Sequence, residues 1–354
     1  MTSLPYQHER DVAEQLAREA AQILLHYRRT GFDVELKTSA EDPVTVADRE
    51  ASELIVAGLR EAFPDDGILS EELLDTDERL SRERVWIIDP IDGTKEYVDG
   101  TPDYCVSIGL SVNGQAMLGV VLAPEKDELF SGIVGQGVWK NGQPSGFSDR
   151  APQDSVIAVS DSEHERELHR YPLPHMKPSG SIALKLARIS AGEADATFTM
   201  SPRSEWDIAA GMALVEAAGG VYSRRNSAPI VLNSPRPELR RGFIGGRADT
   251  VAWLKDELVR LDVPEQIHGV TEQDDVWVLV PDEVRALVQP GKNLHLRQAG
   301  GSEQPGRLVA WALVQPQPGR AQLLRLEGEA FHQDILQRDL VRIYGPLEAA
   351  SSGG

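Results

Sequence analysis

The sequence predicts an α/β protein of the mixed α+β kind, and three observations carry that reading. Val12, Leu16, Ala20, Ile23, Leu24 and Tyr27 recur at helical spacing and stop at Gly31, a residue suited to the left-handed position after a helix. Residues 104–139 read as consecutive strands, with Asn113-Gly114 and then Asn141-Gly142 as hairpin signals. A helical pattern at 182–191 and another after Asp207 alternate with further short strands, without strict strand–helix–strand repetition.

After the first helix, Lys37-Thr38 leads through Asp42-Pro43-Val44-Thr45-Val46-Ala47-Asp48 into a second one. Thr45 and Asp48 have the spacing of a capping box, which would satisfy N–H groups at the helix start. Ile68-Leu69-Ser70 is a short apolar run from which a strand could deliver Glu71. Val85-Trp86-Ile87-Ile88 is continuous, largely β-branched and apolar, the pattern of a buried strand. Pro90 cannot continue a central strand, so this one is expected to stop near Asp89. Gly93 then permits a sharp turn with close backbone approach. Tyr104 to Leu110 alternates as a strand, with Cys105 as a buried packing residue. The run Ile208 to Val215 has few polar residues and reads as a buried helix with Asp207 at its N-terminus, where the helix dipole favours an acid.

Residues 1–135 form an N-terminal α+β half in this reading, and 136–262 a second α/β half. From 266 to 348 the chain reads as a small, mostly β appendage: Val276–Val280, Leu308–Val314, Leu323–Leu326 and Leu340–Tyr344 look like strands, with a short helix at 329–338. Residues 349–354 are expected to be a disordered tail. No chemistry is visible in the appendage.

Composition narrows the function. There are 56 acidic and 36 basic residues, a net charge of −20, so no basic surface for a nucleic-acid polymer is present. Cys105 is the sole cysteine, which rules out an intrachain disulfide. No secretory core or membrane-spanning apolar stretch is seen, and a cytoplasmic enzyme without a membrane partner is expected.

Residues 84–97 carry the chemistry. Asp89 and Asp92 lie three residues apart, pinned by Pro90 and followed by Gly93 and Thr94. Two carboxylates, the Ile91 carbonyl and the Thr94 hydroxyl would converge at a strand end. Clustered hard oxygens with no His or Cys suit Mg²⁺ far better than Zn²⁺. Asp48, Glu71 and Asp207 each have an ordinary structural explanation alone; in this order, with these neighbours, they point to one site. His164-Glu165 and His169 superficially suggest a zinc motif, but the histidines are five apart rather than four, and zinc is discarded.

These segments resemble the inositol monophosphatase-like superfamily of Mg²⁺-dependent, lithium-sensitive phosphatases over roughly residues 10–262. The matching elements are Asp42-Pro-Val-Thr-Val-Ala-Asp48, Ser70-Glu-Glu72, Trp86-Ile-Ile-Asp-Pro-Ile-Asp-Gly-Thr94, Trp206-Asp-Ile-Ala-Ala-Gly211 and Glu216-Ala-Ala-Gly-Gly220. The resemblance implies a layered αβαβα sandwich and two or more Mg²⁺ ions held by Glu71, Asp89, the Ile91 carbonyl, Asp92 and Asp207, with Asp89 as the bridge. It makes Thr94, paired with Asp48, the group that orients the attacking water, and counts Glu71 with this catalytic set. Two divalent ions roughly 3.5–4 Å apart can hold phosphoryl oxygens, lower the pKa of water and stabilise the leaving oxygen.

For the substrate, Lys95-Glu96-Tyr97 after Asp-Gly-Thr resembles 3′(2′),5′-bisphosphate nucleotidases of the CysQ type, and Met200 stands where inositol phosphatases carry a glutamate. Gly93, Thr94, Ser181, Lys185 and Arg203 are the candidate substrate contacts, Lys185 and Arg203 for a phosphate. The expected activity is removal of the 3′-phosphate from 3′-phosphoadenosine 5′-phosphate or its sulfated relative. Inositol-1-phosphatase or fructose-1,6-bisphosphatase activity is the alternative. A non-catalytic metal- or nucleotide-binding scaffold fits less well, because a binding module has no need of the Asp48–Thr94 pair. The partner is a small phosphate ester; a homodimer is allowed by this reading.

Overall fold

The computed structural model describes residues 4–32, 34–36, 43–239, 242–261 and 263, and in the C-terminal region five strands between 276 and 349. Two compact units result: Met1–Thr199 with Arg203–Val263, and Met200–Pro202 with Pro264–Gly354.

In the first unit, helix α1 (Gln7–Thr30) ends as its sequence predicts, with Gly31 at φ 90° returning its N–H to the Tyr27 carbonyl. A small hairpin of β1 (Val34–Leu36) and β2 (Pro43–Thr45) precedes α2 (Val46–Ala62). A seven-stranded sheet follows in chain order: β3 (Gly67–Ser70), β4 (Arg84–Asp92), β5 (Cys105–Val112), β6 (Gln115–Ala123), β7 (Glu128–Ile133), β8 (Gly137–Lys140) and β9 (Gln143–Ser145). Only β3 and β4 are parallel; the rest are antiparallel neighbours. The short helix α3 (Thr94–Asp99) lies between β4 and β5. Both Asn-Gly pairs are two-residue hairpins with positive φ at each residue, the mirror-type turns that match strand twist.

The second sheet contains β10 (Ile157–Ser160), β11 (Met176–Ser179), β12 (Ala196–Thr199), β14 (Val221–Arg224) and β16 (Phe243–Gly246), in the order β11-β10-β12-β16-β14. A two-residue strand β13 (Arg203–Ser204) pairs with β15 (Glu238–Leu239). The helices of this part are α4 (Asp161–Arg166), α5 (Ile182–Ser190), α6 (Glu205–Ala217) and α7 (Ala248–Arg260).

Alternation along β4 explains the layers. Trp86 and Ile88 face α1 and α2, packing with Leu16, Leu24, Ile55 and Leu59. Val85 and Ile87 face the other way, into the core with Ile182 and Leu186 of α5 and Ile208 and Met212 of α6. A stretch of strand buried on both faces must be apolar throughout, as residues 85–88 are. Helix α6 lies so close to the large sheet that a Cβ on Gly119 would fall onto the Ala210 carbonyl. Helices α4 and α7 pack on the second sheet. The result is the layered αβαβα sandwich.

Three expectations change. Strand β4 does not stop at Asp89 but runs on to Asp92. Asp89 opposes Ser107 and Asp92 opposes Cys105, three steps against two, so the chain carries a β-bulge. Pro90 sits inside that irregularity, where its missing N–H leaves no ladder bond unmade. Second, a division at 135/136 falls inside the seven-stranded sheet, which continues to Ser145, and the contacts of residues 1–263 form one unit save for Met200–Pro202.

Third, the C-terminal unit holds a five-stranded antiparallel sheet of β17 (Val276–Leu279), β18 (Asn293–Gln298), β19 (Leu308–Gln315), β20 (Leu323–Glu327) and β21 (Leu347–Ala349), in the order β17-β20-β19-β18-β21. Three strands match the expected runs; β18 and β21 were not expected, and β21 takes Ala349 out of the supposed tail. The helix at 329–338, the strand at 340–344 and residues 350–354 lie outside the described residues.

Candidate active site

The bulge at the end of β4 turns Asp89 and Asp92 into one buried volume, 2% and 8% exposed respectively. Asp89 Oδ1 accepts the Ile91 N–H at 2.9 Å, which folds the bulge onto its own carboxylate. Gly93, at φ 99°, reverses the chain into α3; a Cβ there would lie 3.2 Å from both the Asp103 carbonyl and Tyr104 Cβ. Only glycine meets both demands.

The other acids arrive from element ends. Strand β3 stops at Ser70, and the Glu71 N–H continues the pairing by donating to the Ile88 carbonyl at 3.2 Å. Asp207 is the third residue of α6 and accepts the Ser204 N–H at 3.0 Å. Asp48 is the third residue of α2, where one carboxylate oxygen accepts from the Thr45 N–H at 2.8 Å and its hydroxyl at 2.7 Å. The other oxygen accepts the Thr94 hydroxyl at 3.3 Å. The capping role and the pairing with Thr94 are thus the same residue's two oxygens. Thr94 Oγ1 also reaches the Ile91 carbonyl at 3.0 Å, which holds it over the bulge.

The acids feel one another's charge. Burial, then the charges of Glu71, Asp92 and Asp207, pushes Asp89 well above the usual carboxylate range. Burial and the Asp92 charge raise Asp207 to about 7, against the pull of Arg203. Asp92 is also raised by burial, opposed by its hydrogen bonds from Ser181 and Ala183 and by Lys185 and Arg203. Asp48 is raised to about 6, mainly by burial. Among the described residues, no three His, Cys, Asp or Glu side chains stand at ligand spacing about one point. Asp89, Asp92 and Asp207 each turn an oxygen onto a backbone N–H. The donor set nonetheless fits a hard divalent cation: it is all oxygen, and repulsion among its members is relieved by added positive charge.

Of the candidate substrate contacts, Ser181, Lys185 and Arg203 all make bonds within the protein. Ser181 is the N-cap of α5: its oxygen accepts the Leu184 N–H at 3.0 Å and its hydroxyl donates to Asp92 Oδ2 at 2.5 Å. The Ala183 N–H donates to the same oxygen at 2.6 Å. Helix α5 therefore holds Asp92 from across the sandwich, a link between residues 92 and 181 that no local pattern announces. Lys185 is buried at 3% exposure, and its ammonium donates to the Ser179 carbonyl at 3.1 Å and to that of Gly180. Burial and Arg203 lower its pKa to about 8. Lys95 is exposed and paired with Asp99 at 2.5 Å. Arg203 is half-buried; one guanidinium nitrogen donates to Thr199 Oγ1 at 3.4 Å, while its buried Nε has no hydrogen-bond partner among the described residues. Cys105 is buried, with Sγ 3.3 Å from Ser181 Oγ.

Comparison with known proteins places the chain and its fold in one family. The sequence pattern of the Inositol monophosphatase family matches residues 6–253. A fructose-1,6-bisphosphatase/inositol-1-monophosphatase of Thermotoga maritima is 35% identical over 227 residues, covering 60% of this chain and 83% of the relative. Inositol monophosphatase 1 of Sus scrofa is 31% identical over 250 residues, covering 66% and 89%. Among solved structures, the inositol monophosphatase from Anabaena (Nostoc) sp. PCC 7120 superimposes with a TM-score of 0.60 at 29% identity, covering 73% of this chain and 98% of that one. That of Thermotoga maritima gives 0.61 at 30% identity, covering 71% and 97%.

Proposed function

The chain belongs to the inositol monophosphatase family and is a phosphatase, a phosphoric monoester hydrolase; we propose that it works by direct attack of water on the phosphorus, with divalent metal, Mg²⁺ by the chemistry of the donors, held by Glu71, Asp89, the Ile91 carbonyl, Asp92 and Asp207. The observation that carries this reading is Thr94, whose hydroxyl is held between Asp48 and the Ile91 carbonyl beside the acids. Bound metal would supply charge neutralisation and a lowered water pKa. Thr94 would donate its own hydroxyl proton in a hydrogen bond to Asp48, leaving its oxygen lone pair to accept from the attacking water and aim it. A scaffold that only bound metal would have no use for this pair. Phosphate release that is strictly dependent on Mg²⁺ and inhibited by millimolar Li⁺ is expected; release unaffected by EDTA would overturn the proposal.

For the substrate we propose the 3′-phosphate of a 3′,5′-bisphosphorylated nucleotide. Support comes from the Lys95-Glu96-Tyr97 run, from Met200 in place of an acid, and from Arg203, a half-buried cation with an unused buried N–H beside Asp92 and Asp207. A second reading, inositol 1-phosphate or fructose 1,6-bisphosphate, draws on the names of the relatives and on Lys95 and Lys185 both being engaged within the protein. A panel of these esters at fixed Mg²⁺ decides: kcat/KM for the bisphosphate nucleotide should exceed the others at least tenfold, and a preference for inositol 1-phosphate would replace the nucleotide by the second reading.

A further inference from the structure

The two outlying acids, Glu71 and Asp207, come from separate halves of the chain, and one buried polar network ties their segments together. Arg79 lies in the 3₁₀ turn Asp77–Ser81 that follows the Glu71 segment, and it is 3% exposed. Its guanidinium grips Asp75 twice, at 2.7 and 2.6 Å. The same group donates to Asn233 Oδ1 at 2.7 Å and to the Ser234 carbonyl at 3.0 Å. Asn233 answers by donating its side-chain amide to the Arg79 carbonyl at 3.0 Å. Asn233 itself adopts φ 60°, a left-handed conformation that asparagine tolerates better than most residues.

From the opposite side the same two loop residues are held by Glu205, which is 1% exposed and opens α6 two positions before Asp207. Its carboxylate accepts the Asn233 N–H at 2.6 Å and the Ser234 N–H at 2.8 Å. The Glu205 N–H meanwhile donates to the Pro237 carbonyl at 2.7 Å. The path runs from the Glu71 segment through Asp75 and Arg79, across Asn233-Ser234, to Glu205 and Asp207. Arginine and glutamate are among the residues least often buried unless paired, and here they share a loop rather than a direct ion pair. Such a network, with every member bonded, rigidifies and specifies geometry more than it stabilises.

We propose that Arg79 and Glu205 are positioning residues: their joint grip on the Asn233–Ser234 loop fixes Glu71 relative to Asp207 and thereby sets the affinity of the acidic site for divalent metal. This rests on the metal-dependent reading above. A site of several carboxylates repels itself before metal arrives, so the segments carrying them spread unless something independent of the metal holds them. The clasp is that element, and it works from positions that touch neither metal nor substrate.

The test is Mn²⁺ binding to the free enzyme, followed by electron paramagnetic resonance, with kcat at saturating Mg²⁺ measured in parallel. Glu205→Gln and Arg79→Met should each weaken Mn²⁺ binding about tenfold or more, in the range of losses from groups behind metal ligands, with kcat at saturating Mg²⁺ within about threefold of wild type. The double variant should be little worse than either single one, because both act through one loop. Arg79→Lys should recover part of the affinity. Asp75→Asn, at a half-exposed position that leaves the core untouched, should show the same loss in smaller measure and keeps the test open if Arg79→Met does not fold. Unchanged Mn²⁺ affinity in folded variants, with only the melting temperature lowered, would make the clasp merely structural and overturn the proposal. Failure of the wild-type enzyme to bind Mn²⁺ would instead overturn the metal reading beneath it.

Discussion

The acids of the site and the cations around it are built on opposite principles. Each acid ends a regular element: Asp89 and Asp92 the bulged strand β4, Glu71 the strand β3, Asp48 and Asp207 the first turns of α2 and α6. Local backbone demands and catalytic demands coincide there, since a helix start wants an acid for its N–H groups whether or not chemistry uses the second oxygen. The cations of the rim instead bond backbone and side chains a few residues away, and Ser181 alone among these contacts reaches far along the chain, to Asp92. Ser181 caps α5 and holds Asp92, Lys185 is tied to the Ser179 and Gly180 carbonyls, and Arg203 keeps a buried Nε–H with no partner among the described residues. The acid side is therefore a property of element ends, and it meets the rim through the Ser181–Asp92 bond, which only the folded sandwich makes.

The contrast is broken most severely on the acid side. Asp92→Asn should leave Mg²⁺-dependent turnover at background, with the fold intact because the amide oxygen can still accept from Ser181 and Ala183. A folded variant keeping more than about a tenth of wild-type activity would remove Asp92 from the metal set, since even indirect supporting groups cost about 10–100-fold. Thr94→Ala should lower kcat by about 10²–10⁴-fold with the Mg²⁺ dependence unchanged. Recovery at high Mg²⁺ would show that Thr94 supports the Ile91 carbonyl rather than the water.

This division also explains what the sequence disclosed. The capping box at Thr45–Asp48, the apolar run 85–88, the two Asn-Gly turns and the polar-poor helix after Asp207 are all signals carried within a few residues, and each corresponds to an observed element. The rule that proline ends a central strand misplaced the end of β4, because a bulge supplies a position with no ladder donor and its register is set by β5, not by β4. Ser181 and Lys185 are candidate substrate contacts through the resemblance of residues 180–185 to the nucleotidase segment, which does not announce their bonds within the protein. The bond from Ser181 to Asp92 depends on a contact between β4 and α5 that no spacing encodes, whereas the Lys185 ammonium turns back onto carbonyls of its own segment. The Arg79–Glu205 clasp is likewise invisible in the sequence: the two residues lie 126 positions apart and are joined through the loop at 233–234.

On the rim, the two cations should separate cleanly. Arg203→Gln is expected to raise KM for a bisphosphorylated substrate by roughly 10–150-fold while sparing a simple monophosphate, the effect of a charge-assisted hydrogen bond of about 1.5–3 kcal/mol made only when the second phosphate is present. Lys185→Met should instead lower kcat/KM for both substrates alike, since it frees the loop that carries Ser181. A loss confined to the bisphosphate in the Lys185 variant would show that the ammonium leaves its carbonyls for the substrate, and would move it from the scaffold to the rim.

The smallest effect concerns protons on the acid side. Asp48 is 1% exposed and its folded pKa is raised from 3.8 to about 6, chiefly by burial. The native state therefore holds this proton more tightly than the unfolded chain does. Between about pH 4 and 6 the folded form binds more protons, so stability falls as pH rises, by at most about 1.4 kcal/mol per unit from this group. The contribution is fully present below the unfolded value and lost once pH passes the folded one. The other buried acids of the cluster act with the same sign, so the informative quantity is a difference. Asn at position 48 mimics the protonated form at every pH. Urea denaturation of wild type and Asp48→Asn in EDTA, at pH 4.5 and pH 7, should show the variant gaining on wild type as pH rises. An equal pH response in the two proteins would mean that Asp48 is already ionised in the folded state at pH 4.5, held so by Thr45 and Thr94 in spite of its burial.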